Sequence, residues 1–203
     1  GWLYVAFGNN WVVMDAETGE RVRGPFAFSG GVRGIDVDLT TGLVYGGVRG
    51  GGYDVASAET GELLRTVAGP SDGGAWRSHG IAVDSAAGLL YVSNSDADGS
   101  TEGIRVYRMS DHTLVQRQQV ERADYRSIAV ADGLVVVGNQ TDLYHQSGAT
   151  VFNAADLSPV KRLAAHELGN TVYGASIYPA RDLLYSSARE RIPARVLPGT
   201  RPP

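Results

Sequence analysis

The short stretch Leu89-Leu90-Tyr91-Val92 is the strongest indication of the fold, because close variants of it recur along the whole chain. Gly88 precedes it, and it is almost continuously apolar, as expected for a strand that is buried on both faces between neighbouring sheets. The variants follow one another at intervals of about 45 residues: Trp2-Leu3-Tyr4-Val5, Leu43-Val44-Tyr45, Leu134-Val135-Val136-Val137 and Leu183-Leu184-Tyr185. A period of this length is typical of proteins that stack copies of one supersecondary unit.

Two further phrases recur beside the first. Upstream lies a strand with unlike faces, as in Gly34-Ile35-Asp36-Val37-Asp38 and Gly80-Ile81-Ala82-Val83-Asp84. Downstream lies a turn, Asp15-Ala16-Glu17-Thr18-Gly19-Glu20, which Ser57-Ala58-Glu59-Thr60-Gly61-Glu62 nearly copies. With one strand before this turn and one after it, each unit is predicted to be a four-stranded antiparallel meander.

The repeat predicts how the units are arranged. One four-stranded sheet cannot bury both of its faces, so we expect the units to surround a common axis as the blades of a β-propeller. The sequence therefore predicts an all-β chain with a single propeller domain over 1–203 and about 4.5–5 blades. The repeats are predicted at 1–32 (partial), 33–69, 79–120, 126–165 and 173–203 (partial).

Three of these phrases resemble the YVTN family of β-propeller repeats. They are Leu90-Tyr91-Val92-Ser93-Asn94, the Asp/Glu-Thr-Gly turn and the Gly-Ile-Ala-Val-Asp strand, and the resemblance covers nearly the whole chain. It implies a location that is extracellular or on the cell surface of a bacterium or archaeon. Because propellers of this family usually have seven blades, it also favours a fragment of a seven-bladed ring. The alternative is a compact five-bladed ring that partial first and last blades close.

The composition argues against several classes of function. The 203 residues carry 18 basic and 22 acidic side chains, and a net charge of −4 does not favour a nucleic acid as the partner. The chain has no cysteine, so we expect neither disulfides, nor thiolate chemistry, nor covalent haem, and a redox role is the weakest hypothesis. No apolar run is long enough to predict a membrane span.

The residue just before each inner strand is the main candidate for a binding site. By analogy with the family, these residues lie at the mouth of the central channel, and they are Arg33, His79, Arg126 and Tyr173. Two arginines, a histidine and a tyrosine around one axis can hold an anion such as a carboxylate, phosphate or sulfate. The alternative is that the arginines pair with acids of neighbouring blades, for which the candidates are Asp36, Glu121 and Asp124.

A second candidate site is the segment Asn94-Ser95-Asp96-Ala97-Asp98-Gly99, which has oxygen-bearing side chains at alternate positions before a glycine. This pattern is typical of the first half of a calcium loop. The closing acid is misplaced, because Glu102 is at the ninth position and Arg105 at the twelfth. The calcium ligands in this hypothesis are Asn94, Asp96, Asp98 and Glu102, and the alternative is a polar hairpin loop. The four histidines show no zinc-ligand spacing, and no other cofactor is predicted.

Two functional hypotheses follow. The first is a non-catalytic binding or surface scaffold that presents loops on one face to a protein or glycan partner, and the absence of a catalytic motif favours it. Its candidate loops are the 69–79 connection, which contains Trp76, and the polar 140–147 insertion. The alternative is an enzyme of lyase or hydrolase type, with a channel-mouth site that recognises an anionic small molecule.

Overall fold

The computed structural model describes residues 1–69, 77–95, 101–121, 124–140, 148–164, 172–178 and 183–188. Within these ranges the regular structure is entirely β, and no helix could cross a membrane. The strands are β1 (Trp2–Phe7), β2 (Asn10–Asp15), β3 (Arg21–Ala27), β4 (Val32–Asp38), β5 (Leu43–Val48), β6 (Tyr53–Ser57), β7 (Leu63–Val67), β8 (Arg77–Asp84), β9 (Leu89–Ser95), β10 (Thr101–Arg108), β11 (Leu114–Glu121), β12 (Asp124–Ala131), β13 (Leu134–Gln140), β14 (Gly148–Asn153), β15 (Pro159–Ala164), β16 (Val172–Tyr178) and β17 (Leu183–Ala188).

The strands form sheets in strict sequence order. Strands β4 to β7, β8 to β11 and β12 to β15 make three four-stranded sheets, and every neighbouring pair is antiparallel. Strands β1 to β3 make a three-stranded sheet, and β16 and β17 make a two-stranded one. The predicted four-stranded meander is therefore confirmed, because the strands of each four-stranded sheet pair with their neighbours in sequence in antiparallel order.

The first strands of successive sheets lie side by side: β4 packs on β8, β8 on β12 and β12 on β16. They approach so closely that two positions accept only glycine. A Cβ atom on Gly34 would lie 2.8 Å from the His79 carbonyl oxygen, and one on Gly80 would lie 2.7 Å from the Ile128 amide nitrogen. Glycine within a strand is expected where another backbone comes this near. These inner strands line the common axis.

The core lies between adjacent sheets, and the second strand of each blade contributes to two of its layers. In β5, Val44 packs with Trp11 of the first sheet, whereas Tyr45 packs with Leu90 of the third sheet. In β9, Tyr91 packs instead toward the fourth sheet. All five side chains are at most 1% exposed. Burial on both faces explains why the second strand is so continuously apolar in sequence.

Candidate functional site

Each inner strand carries a register shift near its start, and the residue at that shift is one of the four predicted site residues. The shifts fall between Val32 and Gly34, Ser78 and Gly80, Tyr125 and Ser127, and Val172 and Gly174. The extra residues are Arg33, His79, Arg126 and Tyr173. A bulge leaves its residue without a directly opposed partner and re-aims the side chain, and bulges are common beside binding sites. The fold thus creates one equivalent position per blade at the same end of the inner strands.

Three of these side chains meet. The Nη1 atom of Arg33 lies 2.8 Å from Nδ1 of His79, and Nη1 of Arg126 lies 3.5 Å from the same Nδ1 atom. A guanidinium group can only donate, so Nδ1 accepts and the ring proton resides on Nε2. The two guanidinium Nη1 atoms are therefore at most about 6.3 Å apart. For Tyr173 the structure describes the backbone in β16, and its side chain lies outside the described atoms.

The histidine at the centre is neutral. His79 is only 2% exposed. Burial lowers its pKa to about 3, and the positive charges of Arg126, Arg33 and Arg77 act in the same direction. Partial burial and the charges of Arg49 and Arg77 also lower the pKa of Arg33. Since the Arg33 side chain is exposed, the site opens to solvent at this residue.

Two more arginines complete what we call the basic cluster, defined as Arg33, Arg49, Arg77, His79 and Arg126. Arg77 starts β8, the strand of His79, and Arg49 follows β5, with its backbone nitrogen bonded to the Gly31 carbonyl at 2.8 Å. Sequence reasoning did not select these two. Arg49 lies among the glycines of residues 46–52, and a glycine-rich segment of this kind indicates a turn and not a binding site. The one available signal for Arg77 was its position two residues before His79.

The alternative prediction, in which the channel-mouth arginines pair with nearby acids, is not met at Asp36. The Asp36 carboxylate instead accepts hydrogen bonds from the backbone amides of Val37 and Val83, both at 2.8 Å. Within the described ranges, Arg33 contacts His79 and no carboxylate. The side chains of Glu121 and Asp124, the other two candidates, lie outside the described atoms.

The predicted calcium loop falls mostly outside the described residues. Asp96 and Asp98 are not described, and Glu102 is described only as a backbone position paired with Ser95. Asn94 is buried in β9, where its Oδ1 atom accepts a hydrogen bond from Ser78 Oγ at 3.0 Å and its Nδ2 atom donates to the Val92 carbonyl at 3.1 Å. The described part of the chain contains no cluster of three or more acidic or histidine side chains placed to hold a metal. The calcium loop stays a prediction.

The loops predicted for partner recognition also lie largely outside the described ranges, including Trp76 and residues 141–147. The candidate site that the described residues do form is the basic cluster near the start of the inner strands.

Comparison with known proteins bears on the fold. No protein family model matches the chain, and no curated protein matches it. Among solved structures, the chain is similar to Kuenenia stuttgartiensis hydrazine synthase, with a TM-score of 0.72 and 16% identity over 91% of this chain and 58% of that one. It is also similar to a chain of the mitotic checkpoint complex, with a TM-score of 0.67 and 16% identity over 93% of this chain and 54% of that one. The chain thus spans a little over half the length of each. At this identity the likeness shows the fold alone, and it establishes an all-β protein of the β-propeller class.

Proposed function

We propose that this propeller is a non-catalytic binding protein that recognises the anionic group of a small-molecule ligand at the basic cluster. The single observation that carries the proposal is the convergence of Arg33 and Arg126 on one nitrogen of His79. These three side chains come from three consecutive sheets, so their meeting is a property of the assembled propeller.

The energetics of the cluster favour a bound anion. Like charges at this separation repel each other, and partial burial strengthens the repulsion. An anion placed between the two guanidinium groups would accept charge-assisted hydrogen bonds, and this attraction opposes the repulsion between them. The exposed side chain of Arg33 leaves a route for such a ligand from solvent.

The state of His79 supports binding over acid–base catalysis. A general acid or base works best when its pKa lies near the working pH. Burial lowers the pKa of His79 to about 3, and Nδ1 is already engaged by Arg33. The imidazole is therefore suited to orienting the arginines, and a proton-transfer role in a lyase or hydrolase is disfavoured.

The test is the double variant Arg33→Gln/Arg126→Gln, compared with Arg21→Gln/Arg65→Gln. The control pair lies on the outer strands β3 and β7, is exposed, and removes the same net charge. We expect calorimetric titration with sulfate at low ionic strength to show binding that the first variant weakens about 100-fold, because two charge-assisted contacts are lost. The control should bind as the wild type does. Equal affinity in the wild type and the Arg33/Arg126 variant would refute the proposal.

A further inference from the structure

The geometry of the basic cluster depends on where the imidazole of His79 is held, because Arg33 and Arg126 both contact its Nδ1 atom. His79 occupies the bulge of β8, between Ser78 and Gly80 in the pairing with β9. A bulged residue has no directly opposed partner in the strand pair. The position of its side chain therefore depends on how firmly the two flanking residues are held.

Two polar side chains of β9 hold both neighbours of the bulged residue. Ser93 Oγ accepts a hydrogen bond from the Gly80 amide at 2.8 Å, and Asn94 Oδ1 accepts one from Ser78 Oγ at 3.0 Å. Asn94 is itself oriented, since its Nδ2 atom donates to the Val92 carbonyl at 3.1 Å. We call Ser78, Ser93 and Asn94 the bulge brace. All three are at most 1% exposed, so these hydrogen bonds are shielded from competing water.

Among the bulges on β4, β8 and β12, this brace is complete only on β8. Gly47 and Gly138 are the counterparts of Ser93, and neither has a side chain that could accept a hydrogen bond. Asn139 is the counterpart of Asn94, but its Oδ1 atom is buried without a hydrogen-bond partner. The braced bulge is therefore the one whose residue both arginines contact.

On the basis of the proposed function, we infer that Ser78, Ser93 and Asn94 are positioning residues of the anion site. They fix the β8 bulge so that Nδ1 of His79 faces the guanidinium group of Arg33. A relaxed bulge would let the imidazole turn away, and the arginines would lose the acceptor on which they converge. Because the brace is buried, it sets the affinity for the anion without contacting the ligand.

The first measurement reads the imidazole of His79 in the protein without ligand. Long-range proton–nitrogen correlation spectra show which ring nitrogen carries the proton, and the spectrum of His79→Gln identifies the signals of this histidine. We expect the wild type to show an unprotonated Nδ1 and a protonated Nε2. Ser93→Ala removes the acceptor of the Gly80 amide, so the released ring should populate both tautomers.

The second measurement is calorimetric titration of the same proteins with sulfate at low ionic strength. We expect Ser93→Ala to bind sulfate about tenfold more weakly, because a contact that orients a charged donor is lost. Ser93→Thr keeps the hydroxyl and should restore the single tautomer and the affinity. The matched control is Ser85→Ala, which removes a hydrogen bond of 2.7 Å to Asp38 just beyond the other end of β8. This control should lower stability and leave both readouts unchanged.

Two results would overturn the inference: a single tautomer of His79 in folded Ser93→Ala, or a sulfate affinity in that variant equal to that of the wild type. If Ser93→Ala does not fold, Ser78→Ala provides the same test, since it removes the other hydroxyl of the brace. If sulfate does not bind to the wild type, the proposed function fails, and the nitrogen spectra still decide whether the brace positions His79. Thermal melting establishes that each variant is folded.

Discussion

The two ends of the inner strand β4 differ in the groups that surround their charged side chains. Near the start of β4, Arg33 contacts His79 of the next blade, and Arg126 of the following blade contacts the same His79 nitrogen. At its end, Asp38 is enclosed by hydrogen-bond donors. Basic side chains therefore converge near the start of β4. At its end, hydrogen-bond donors surround a single carboxylate.

At the end of β4, which we call the acidic end, hydrogen bonds within the protein satisfy the Asp38 carboxylate. Asp38 is 1% exposed and accepts hydrogen bonds from the hydroxyls of Thr40 and Thr41, each at 2.6 Å, and of Ser85 at 2.7 Å. Burial alone would raise the pKa of Asp38, but the hydrogen bonds from Thr40, Thr41 and Ser85 hold it well below its usual range. Ser85 follows β8, so this carboxylate also links one blade to the next.

The difference separates the structural role of Asp38 from the binding role proposed for the basic cluster. A buried carboxylate whose lone pairs are satisfied stabilises the fold and has little left to offer a ligand. A group of guanidiniums arranged around a neutral histidine gains from an added anion. We therefore expect changes at the acidic end to affect stability alone, and changes at the basic end to affect anion affinity.

The largest expected effect is at the acidic end. Asp38→Ala should lower the free energy of unfolding by about 3 kcal/mol, because charged hydrogen bonds are lost and the donors around the site lose their acceptor. Urea denaturation measures it, and anion affinity should not change. The matched control is Asp84→Ala, since Asp84 ends β8 as Asp38 ends β4 but, within the described residues, accepts only the Ala87 amide, at 3.0 Å. A loss at Asp84 equal to that at Asp38 would contradict the comparison.

An intermediate loss of stability is expected at Gly34, where β4 approaches β8 near the basic cluster. Gly34→Ala places a Cβ atom 2.8 Å from the His79 carbonyl oxygen and 2.9 Å from Gly80 Cα, and a backbone neighbour cannot swing aside. Overpacking of this kind should cost about 2 kcal/mol, and it should weaken anion binding by moving β4 away from β8. Gly50→Ala is the control, since no atom lies within 4 Å of its added Cβ. Wild-type affinity in a destabilised Gly34→Ala protein would show that the cluster does not depend on this spacing.

The smallest expected effect is the pH dependence of stability that arises from His79. The pKa of His79 is about 3 in the folded protein, whereas the ordinary histidine pKa in the unfolded chain is about 6.5. Between these values the unfolded chain binds more protons than the folded protein does, so stability falls as the pH drops through about 6.5. The contribution is a loss of about 1.4 kcal/mol between about pH 7.5 and about pH 5.5. His79→Gln keeps an acceptor for Arg33 and removes this loss. The charged groups that act on His79 are Arg126, Arg33 and Arg77.

Urea denaturation of both proteins at both pH values isolates the histidine, since the carboxylates are common to the two. If the variant loses as much stability on acidification as the wild type does, the histidine is not held neutral by its surroundings.

Much of the fold could be predicted because its signals are local. The run around Leu90 and Tyr91 recurs, and its two-sided burial follows from adjacent residues facing opposite sheets. Arg33, His79 and Arg126 could be selected because the repeat aligns them. The bulge that re-aims them was not predictable, since a register shift depends on how two strands pair. Nor could the sequence show that the Asp36 carboxylate would accept a hydrogen bond from the Val83 amide, because that amide lies on another blade.

The strands, the four-stranded repeat and the equivalence of one position per blade follow from the sequence alone, because strand periodicity and turn chemistry act over a few residues. Which charged side chains meet depends on the tertiary structure. Arg33 and Arg126 are 93 residues apart in the chain, yet both reach His79, because the inner strands of successive sheets pack backbone against backbone at Gly34 and Gly80. Electrostatic interaction depends on distance through space, and those distances are set by the assembly of the blades.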